Sequence, residues 1–139
     1  MMTTKTILLG TLAYTLFTFP LAVVWHVVLF KDKYQAFGYF EGEPSFIIGL
    51  STILIQGVVL SLLYPFVSFK GRGVVRGLKY SLFLGLFFWT SHVLAFVAKQ
   101  AICDSILFIA MESFYLLLQF GVYGVFIGLI YAKEIEENV

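Results

Sequence analysis

The stretch "SILFIAMESFYLLLQFGVYGVFIGLIYA", residues 105–132, defines the class of protein to which this chain belongs. It contains one charged residue, Glu112. An α-helix needs about 20 predominantly apolar residues to cross the hydrocarbon core of a bilayer, which is about 30 Å thick. Comparable apolar runs cover residues 6–30, 45–69 and 77–98. The sequence therefore predicts four transmembrane helices joined by short loops.

The composition of the whole chain supports this interpretation. Hydrophobic residues make up 60% of the 139 residues and charged residues only 12%, and the mean hydropathy is +0.96. A soluble domain carries about 25% charged residues. The apolar runs do not alternate as membrane β-strands do, so the predicted fold class is an all-α membrane protein. We expect one domain, an antiparallel up-down-up-down bundle of four transmembrane helices.

Recognisable catalytic motifs are not evident in the sequence. There is no Gly-x-Ser-x-Gly nucleophile motif, and a single cysteine, Cys103, excludes an internal disulfide and a cysteine-based metal cluster. The sequence therefore leans away from an enzyme. Function is expected between the helices, at the loops or in an oligomer interface.

Basic residues at the helix ends predict the orientation of the bundle. Six of them fall on one side and three on the other, and the positive-inside rule places the richer side, with both termini, in the cytoplasm. The basic loop at residues 70–79 is short and lies between two spans, so its expected partner is the anionic surface of the lipid bilayer and not a nucleic acid. The six are Lys5, Lys70, Arg72, Arg76, Lys79 and Lys133, and the three are Lys31, Lys33 and Lys99.

The chain has only two histidines, and they occupy similar local settings. "WHVVLF" at residues 25–30 resembles "SHVLAF" at residues 91–96, and the helices that follow them contain Gln56 and Gln119 in similar contexts. Two interpretations are open. The chain consists of two repeated helical hairpins related by a pseudo-two-fold axis along the membrane normal, or the similarity is a coincidence between apolar strings.

Ionisable residues inside the spans are the main candidates for function, because a charged group in lipid is costly and normally faces a bundle interior or a water-filled cavity. At 1.5 Å per residue, His26, His92 and Glu112 lie about 8, 10 and 12 Å from the outer ends of their helices. We expect His26, the nearest to the outer surface, to be the most accessible to water.

Helical periodicity brings further polar residues to the same place. Glu112, Tyr115 and Gln119 lie on one face of the fourth helix. A bundle that turns this face inward would place these residues in a shared polar pocket that opens to the outer side. The candidate ligand- or ion-binding residues are His26, Thr52, Gln56, His92, Glu112, Tyr115 and Gln119.

Three uses of this cluster remain open at the level of sequence. The residues satisfy one another and serve only packing, in a structural or accessory membrane subunit. Alternatively, they bind or conduct a small ligand, an ion or a proton. In the third case His26, His92 and Glu112 bind a divalent metal, or the two histidines ligate a haem, in a membrane redox protein.

Two other segments carry predictions. "GVFIG", Gly124 to Gly128, is a small-residue motif that predicts either an internal helix contact or a homodimer. The outer loop "KDKYQAFGYFEGEPS", residues 31–45, combines aromatic and acidic residues, which indicates a segment at the interface that covers the pocket.

The pattern W-H-x-x-L-F-x-x-K, from Trp25 to Lys33, in a four-span chain of this length resembles small bacterial membrane proteins grouped as domains of unknown function. The resemblance is confined to this helix end and the general layout. It implies a compact bundle in a bacterial inner membrane, and it implies no activity and no site residues.

Overall fold

The structure is a computed structural model that describes residues 3–137, with side chains for residues 3–133. It has four helices that are long and apolar enough to cross a membrane, close to the predicted ranges, and the described residues contain no strand. This confirms an all-α bundle of four membrane-spanning helices. The first span is Thr4–Leu29, the second Phe46–Phe66, the third Gly73–Lys99 and the fourth Ser105–Lys133.

Several of these spans are interrupted helices. The first is α1 followed by a π-helical segment, and the third is α4 followed by a π-helical segment and α5. The short helix α2 lies in the loop between the first two spans. The elements are α1 (Thr4–Ala22), the π segment Val23–Leu29, α2 (Lys31–Ala36), α3 (Phe46–Leu63), the 3₁₀ turn Tyr64–Phe66, α4 (Gly73–Trp89), the π segment Thr90–Leu94, α5 (Ala95–Lys99) and α6 (Ser105–Glu137).

Side-chain caps fix where three of the long helices begin. The hydroxyl of Thr3 accepts from the backbone N–H of Thr6, and the hydroxyl of Ser45 accepts from that of Ile48. Asp104 accepts from the backbone N–H of Leu107 at the start of the fourth span. Such caps satisfy N–H groups that the first helical turn leaves without a partner.

The helices pack as two hairpins. The closest partners are α1 with α3 and α4 with α6, and α1 also packs against α6 and joins the hairpins. This arrangement agrees with the predicted pairing of helices, while a common ancestry of the hairpins remains a prediction. The end of the bundle that carries the loop at residues 31–45 is called the outer end, and the opposite end is called the inner end.

The glycine motif of the fourth span is used inside the chain. A Cβ added at Gly77 would collide with the backbone of Gly124 and Gly128, and a Cβ at Gly124 would lie 2.9 Å from the Cα of Leu78. The backbones of α4 and α6 therefore touch along this face. The prediction that Gly124 and Gly128 form a homodimer contact needs correction, because their surface is already covered by α4; a dimer through another surface remains a prediction.

Polar groups at the inner end tie the second span to its neighbours. Pro65 has no N–H to bond the carbonyl of Ser61, and the hydroxyl of Tyr131 donates to that carbonyl at 2.6 Å. The hydroxyl of Tyr80 donates to the carbonyl of Leu60 at 2.6 Å, and Arg76 donates to the backbone of the adjoining turn. The end of the second helix is thus held by side chains from the third and fourth spans.

Candidate functional site

Both histidines lie in π-helical turns at the outer ends of their spans. His26 is in the segment Val23–Leu29 of the first span, and His92 is in the segment Thr90–Leu94 of the third. A π turn is rare and occurs frequently at functional sites, because its extra residue changes the direction of the side chains around it. The two similar sequence stretches thus adopt the same unusual backbone and direct their histidines towards one place.

The carboxylate of Glu112 is the centre of this site. Its Oε1 lies 2.8 Å from Nε2 of His26, and its Oε2 lies 3.1 Å from Nε2 of His92. The side chain of Glu112 is completely buried, whereas the side chains of His26 and His92 are 11% and 39% exposed. The structure therefore brings together the three ionisable residues that the sequence placed at similar depth. The expected order of water access is wrong, because the loop above the site covers His26 more fully than His92.

Two tyrosines of the outer loop complete the site. The hydroxyl of Tyr34 donates to Oε1 of Glu112 at 2.6 Å and accepts from the indole N–H of Trp25 at 2.7 Å. The hydroxyl of Tyr39 lies 2.8 Å from Nε2 of His92. The sequence predicted only that both tyrosines lie in a segment that covers the pocket. Depth counted along the spans carries no information on a loop side chain that folds back into the bundle.

Burial and the neighbouring carboxylate raise the pKa of both loop tyrosines well above the ordinary value of 10.0 for a tyrosine hydroxyl. Desolvation is the larger cause for each, and the negative charge of Glu112 adds to it. Both hydroxyls therefore keep their protons over the ordinary pH range and remain available as donors. We refer to Glu112, His26, His92, Tyr34 and Tyr39 as the Glu112 cluster.

The outer loop covers the Glu112 cluster, in the position that its aromatic residues indicated. Tyr34 and Phe37 are buried, and the ring of Phe37 packs edge-on against Phe108 of the fourth span. An ion pair of 2.8 Å between Lys31 and Glu43 closes the loop on its exposed side. The ring of Tyr39 also stacks on the imidazole of His26, with centroids 5.5 Å apart.

A second polar layer lies deeper in the bundle. The hydroxyl of Tyr14 donates to Oε1 of Gln56 at 3.0 Å and accepts from Nε2 of Gln119 at 2.6 Å. These are the two glutamines with similar sequence contexts in the second and fourth spans. One residue of the first span therefore joins the two hairpins here, as Glu112 joins them in the outer layer.

A cavity of about 190 Å³ lies between the two layers. Apolar side chains close part of it, and the rest of its wall carries hydroxyl, amide and imidazole groups. A cavity lined in this way has both the polar partners and the volume that water or a small ligand requires. We call it the polar cavity. Its polar lining consists of Thr18, His26, Tyr39, Gln56, His92, Tyr115 and Gln119.

Five of the seven predicted site residues line this cavity and Glu112 contacts two of them, but Thr52 does neither. Thr52 is exposed on the surface of α3, and its hydroxyl donates to the carbonyl of Ile48 one turn earlier at 2.9 Å. Its assignment to the site needs correction, because α3 turns Ile53 and Gln56 towards the cavity and Thr52 away from it. Tyr115 lines the cavity and packs its ring edge-on against His26, with centroids 4.6 Å apart.

The geometry of the cluster does not support the predicted metal or haem ligation. Both Nε2 atoms form direct hydrogen bonds with the carboxylate of Glu112, and the part of the chain that the structure describes contains no group of His, Cys, Asp or Glu side chains arranged to hold a metal ion. Axial haem ligation needs two Nε2 atoms that face one iron from opposite sides of a macrocycle. Here the carboxylate of Glu112 lies between them.

The fold and the site together define an integral membrane protein with a buried His–Glu–His centre in the outer half of its bundle. Comparison of the chain with family models, curated proteins and solved structures finds no match.

Proposed function

We propose that the protein binds protons at the Glu112 cluster and exchanges them with the polar cavity. The observation that carries this proposal is the bridging carboxylate, which is completely buried and contacts an imidazole nitrogen with each of its oxygens. A single charge at this depth is costly unless a partner neutralises it. A proton on one of the two imidazoles is the means of neutralisation that these residues offer.

The hydrogen bonds of His26 require one shared proton. Nδ1 of His26 lies 3.0 Å from the carbonyl oxygen of Ala22, and since a carbonyl only accepts, Nδ1 carries a hydrogen. A second hydrogen lies between Nε2 of His26 and Oε1 of Glu112. It belongs either to an imidazolium beside a carboxylate or to a carboxylic acid beside a neutral imidazole. Both forms have the same net charge, so the pair stores a proton without an unpaired charge in the membrane.

His92 is the group that exchanges protons. Its Nε2 contacts both Oε2 of Glu112 and the hydroxyl of Tyr39, and one nitrogen cannot form its best hydrogen bond with both partners at once. A protonated Nε2 donates to Glu112, whereas a bare Nε2 accepts from Tyr39. His92 lines the polar cavity and is the more exposed histidine. It therefore connects the buried carboxylate with the cavity.

The site faces the outside of the cell in this proposal. The excess of basic residues at the opposite end orients the bundle with its termini in the cytoplasm, and we propose the bacterial inner membrane as its location. A proton that reaches the cluster from the outer side passes the loop at residues 31–45 and enters the outer third of the bilayer.

The presence of only two histidines makes a direct test possible. Protein labelled with ¹⁵N-histidine and reconstituted in bilayers gives two imidazole spectra, which His26→Gln and His92→Gln variants assign. We expect the His92 signal to show that its Nε2 gains and loses a proton, because this nitrogen contacts both Oε2 of Glu112 and the hydroxyl of Tyr39. Glu112→Gln should change the imidazole spectra of both histidines, since each Nε2 contacts the carboxylate that this variant removes.

Glu43→Gln is the matched control, because Glu43 is an exposed carboxylate in the outer loop whose partner is Lys31. It should leave both imidazole spectra unchanged. If neither histidine exchanges a proton in the wild-type protein, or if Glu112→Gln leaves both imidazole spectra as they were, the cluster is a fixed packing network and the proposal fails.

A further inference from the structure

A second cavity, of about 260 Å³, lies beside the polar cavity at the outer end of the first and second spans. Its wall is almost entirely apolar. Phe19, Val23 and Val27 come from the first span, and Phe46 and Gly49 from the second. Phe46 is 47% exposed on the outside of the bundle, so the wall of this cavity reaches the surface that faces lipid. We call it the apolar cavity.

The two cavities adjoin each other. Ala22, His26, Tyr39 and Ile53 line both of them, so the same imidazole and phenol groups separate the polar space from the apolar one. A molecule that occupies both cavities would place an apolar portion between the first two spans and a polar portion beside the glutamines.

The open space in the apolar cavity depends on Gly49. The nearest atom to a Cβ added at this position is Cε2 of Phe19, at 3.9 Å, so a larger side chain would extend into the cavity. The outer loop contributes Phe40 and Pro44 to the same wall, so the cavity lies at the outer end of the bundle, next to the exposed ring of Phe46.

The polar cavity limits the head of such a molecule to an uncharged group. No Lys, Arg, Asp or Glu of the described residues lines either cavity, and the adjacent Glu112 already contacts both histidines. An anionic head would therefore meet no cation that is free to neutralise it.

The glutamines specify a head that both donates and accepts. Gln56 uses its Oε1 and Gln119 its Nε2 on the hydroxyl of Tyr14. Nε2 of Gln56 and Oε1 of Gln119 form no hydrogen bond with any side chain that the structure describes. A hydroxyl group accepts from the first and donates to the second.

From these observations we infer that the two cavities together bind a neutral single-chain amphiphile with a hydroxyl head, which enters from the outer leaflet. This inference goes beyond proton binding and does not depend on it. The amphiphile would extend its chain past Gly49 and place its hydroxyl between Gln56 and Gln119.

Photolabelling of the reconstituted protein tests this binding site. The probe is a dodecanol analogue with a diazirine in the chain and a terminal alkyne, and peptide mass spectrometry locates the labels. We expect labels on the wall of the apolar cavity, at residues such as Val23 and Phe46. Gly49→Leu should reduce this labelling about tenfold, equivalent to about 1.4 kcal/mol of binding free energy. Gly121→Leu is the matched control, since Gly121 also has open space around it but lines neither cavity.

Competition in the wild-type protein tests the head group without any change to the fold. Unlabelled dodecanol should displace the probe from the apolar cavity, and dodecane sulfonate, a permanent anion with the same chain, should not. Equal competition by the two compounds would contradict an uncharged head. Labelling spread evenly over all lipid-facing helices and unchanged by Gly49→Leu would show ordinary lipid contact and overturn the proposal.

Discussion

A single carboxylate joins three parts of the chain that are far apart in sequence. Glu112 of the fourth span bonds His26 of the first, His92 of the third and Tyr34 of the outer loop. Removal of one partner from a buried polar network leaves the others poorly satisfied, and each unsatisfied group is destabilising by about 1–3 kcal/mol. The stability of the site should therefore depend on the set of residues and not on each one separately.

This dependence leads to a prediction of coupling. His92→Ala and Glu112→Gln should each lower the melting temperature of the protein in detergent. The decrease in the double variant should be clearly smaller than the sum of the two single decreases. His26→Ala should couple to Glu112→Gln more strongly than His92→Ala does. The positions of the two histidines along their helices predict the opposite order of coupling. In the structure, however, the side chain of His26 is 11% exposed and that of His92 is 39% exposed. Water can replace a lost partner more easily at His92.

Thr52→Ala serves as the control for these measurements, because Thr52 is exposed and bonds only its own helix. The change in melting temperature caused by Thr52→Ala should be additive with the change caused by Glu112→Gln. Strict additivity among His26, His92 and Glu112 variants would mean that the two histidines lie in separate environments, which would contradict the shared site.

A second prediction at the residue scale concerns the loop tyrosines. Tyr34→Phe removes the donor to Glu112 and the acceptor of Trp25, so it should lower the free energy of unfolding by about 1–3 kcal/mol. Tyr115→Phe is the matched control. Tyr115 is also buried against His26, but its hydroxyl has no partner among the described residues. Thermal or denaturant unfolding measures the free energy of unfolding of both variants. An equal decrease in the two variants would contradict the role of the Tyr34 hydroxyl.

At the scale of the elements, the contact between α4 and α6 rests on glycine. An alanine in a helix interior is normally more stable than a glycine by about 1 kcal/mol. At Gly77 the added methyl group would collide with the backbone of Gly124 and Gly128, so the helices must separate. Close approach of two backbones through small residues is the usual way in which membrane helices associate.

Gly77→Ala should therefore destabilise the protein by about 1–3 kcal/mol, the ordinary penalty for overpacking. Gly121→Ala, on the same pair of helices but with open space around its Cα, should be neutral or should stabilise the protein by up to about 1 kcal/mol. Unfolding in a denaturing detergent gives both values. A stable Gly77→Ala protein would mean that α4 and α6 do not touch along this face.

At the scale of the whole molecule, the distribution of basic residues predicts the topology. Reporter fusions after residues 40 and 101 should be extracytoplasmic, and fusions after residue 73 and at the C-terminus should be cytoplasmic. The physical reason is the excess of Lys and Arg at the inner loop and the terminal segments. The opposite pattern would invert the bundle and place the Glu112 cluster on the cytoplasmic side.

The class of the molecule and the depth of its polar residues follow from the linear order of the amino acids. Length and apolarity specify four membrane-spanning helices, since a polar backbone in lipid must satisfy its hydrogen bonds within a helix. Counting residues from the helix ends placed His26, His92 and Glu112 at similar depth, and the structure brings them together. These properties depend on residues that are close along the chain, so a linear pattern contains them.

Which side chains contact one another, by contrast, is determined by the packing of the helices in three dimensions. The π turns change the directions of the His26 and His92 side chains, and a regular α-helical period does not predict this change. The loop side chains of Tyr34 and Tyr39 fold back onto the cluster. Thr52 faces outward because α3 packs on α1 through its other side. In an almost uniformly apolar helix, hydropathy does not distinguish the face towards lipid from the face towards protein, so packing against the neighbouring helices makes that choice.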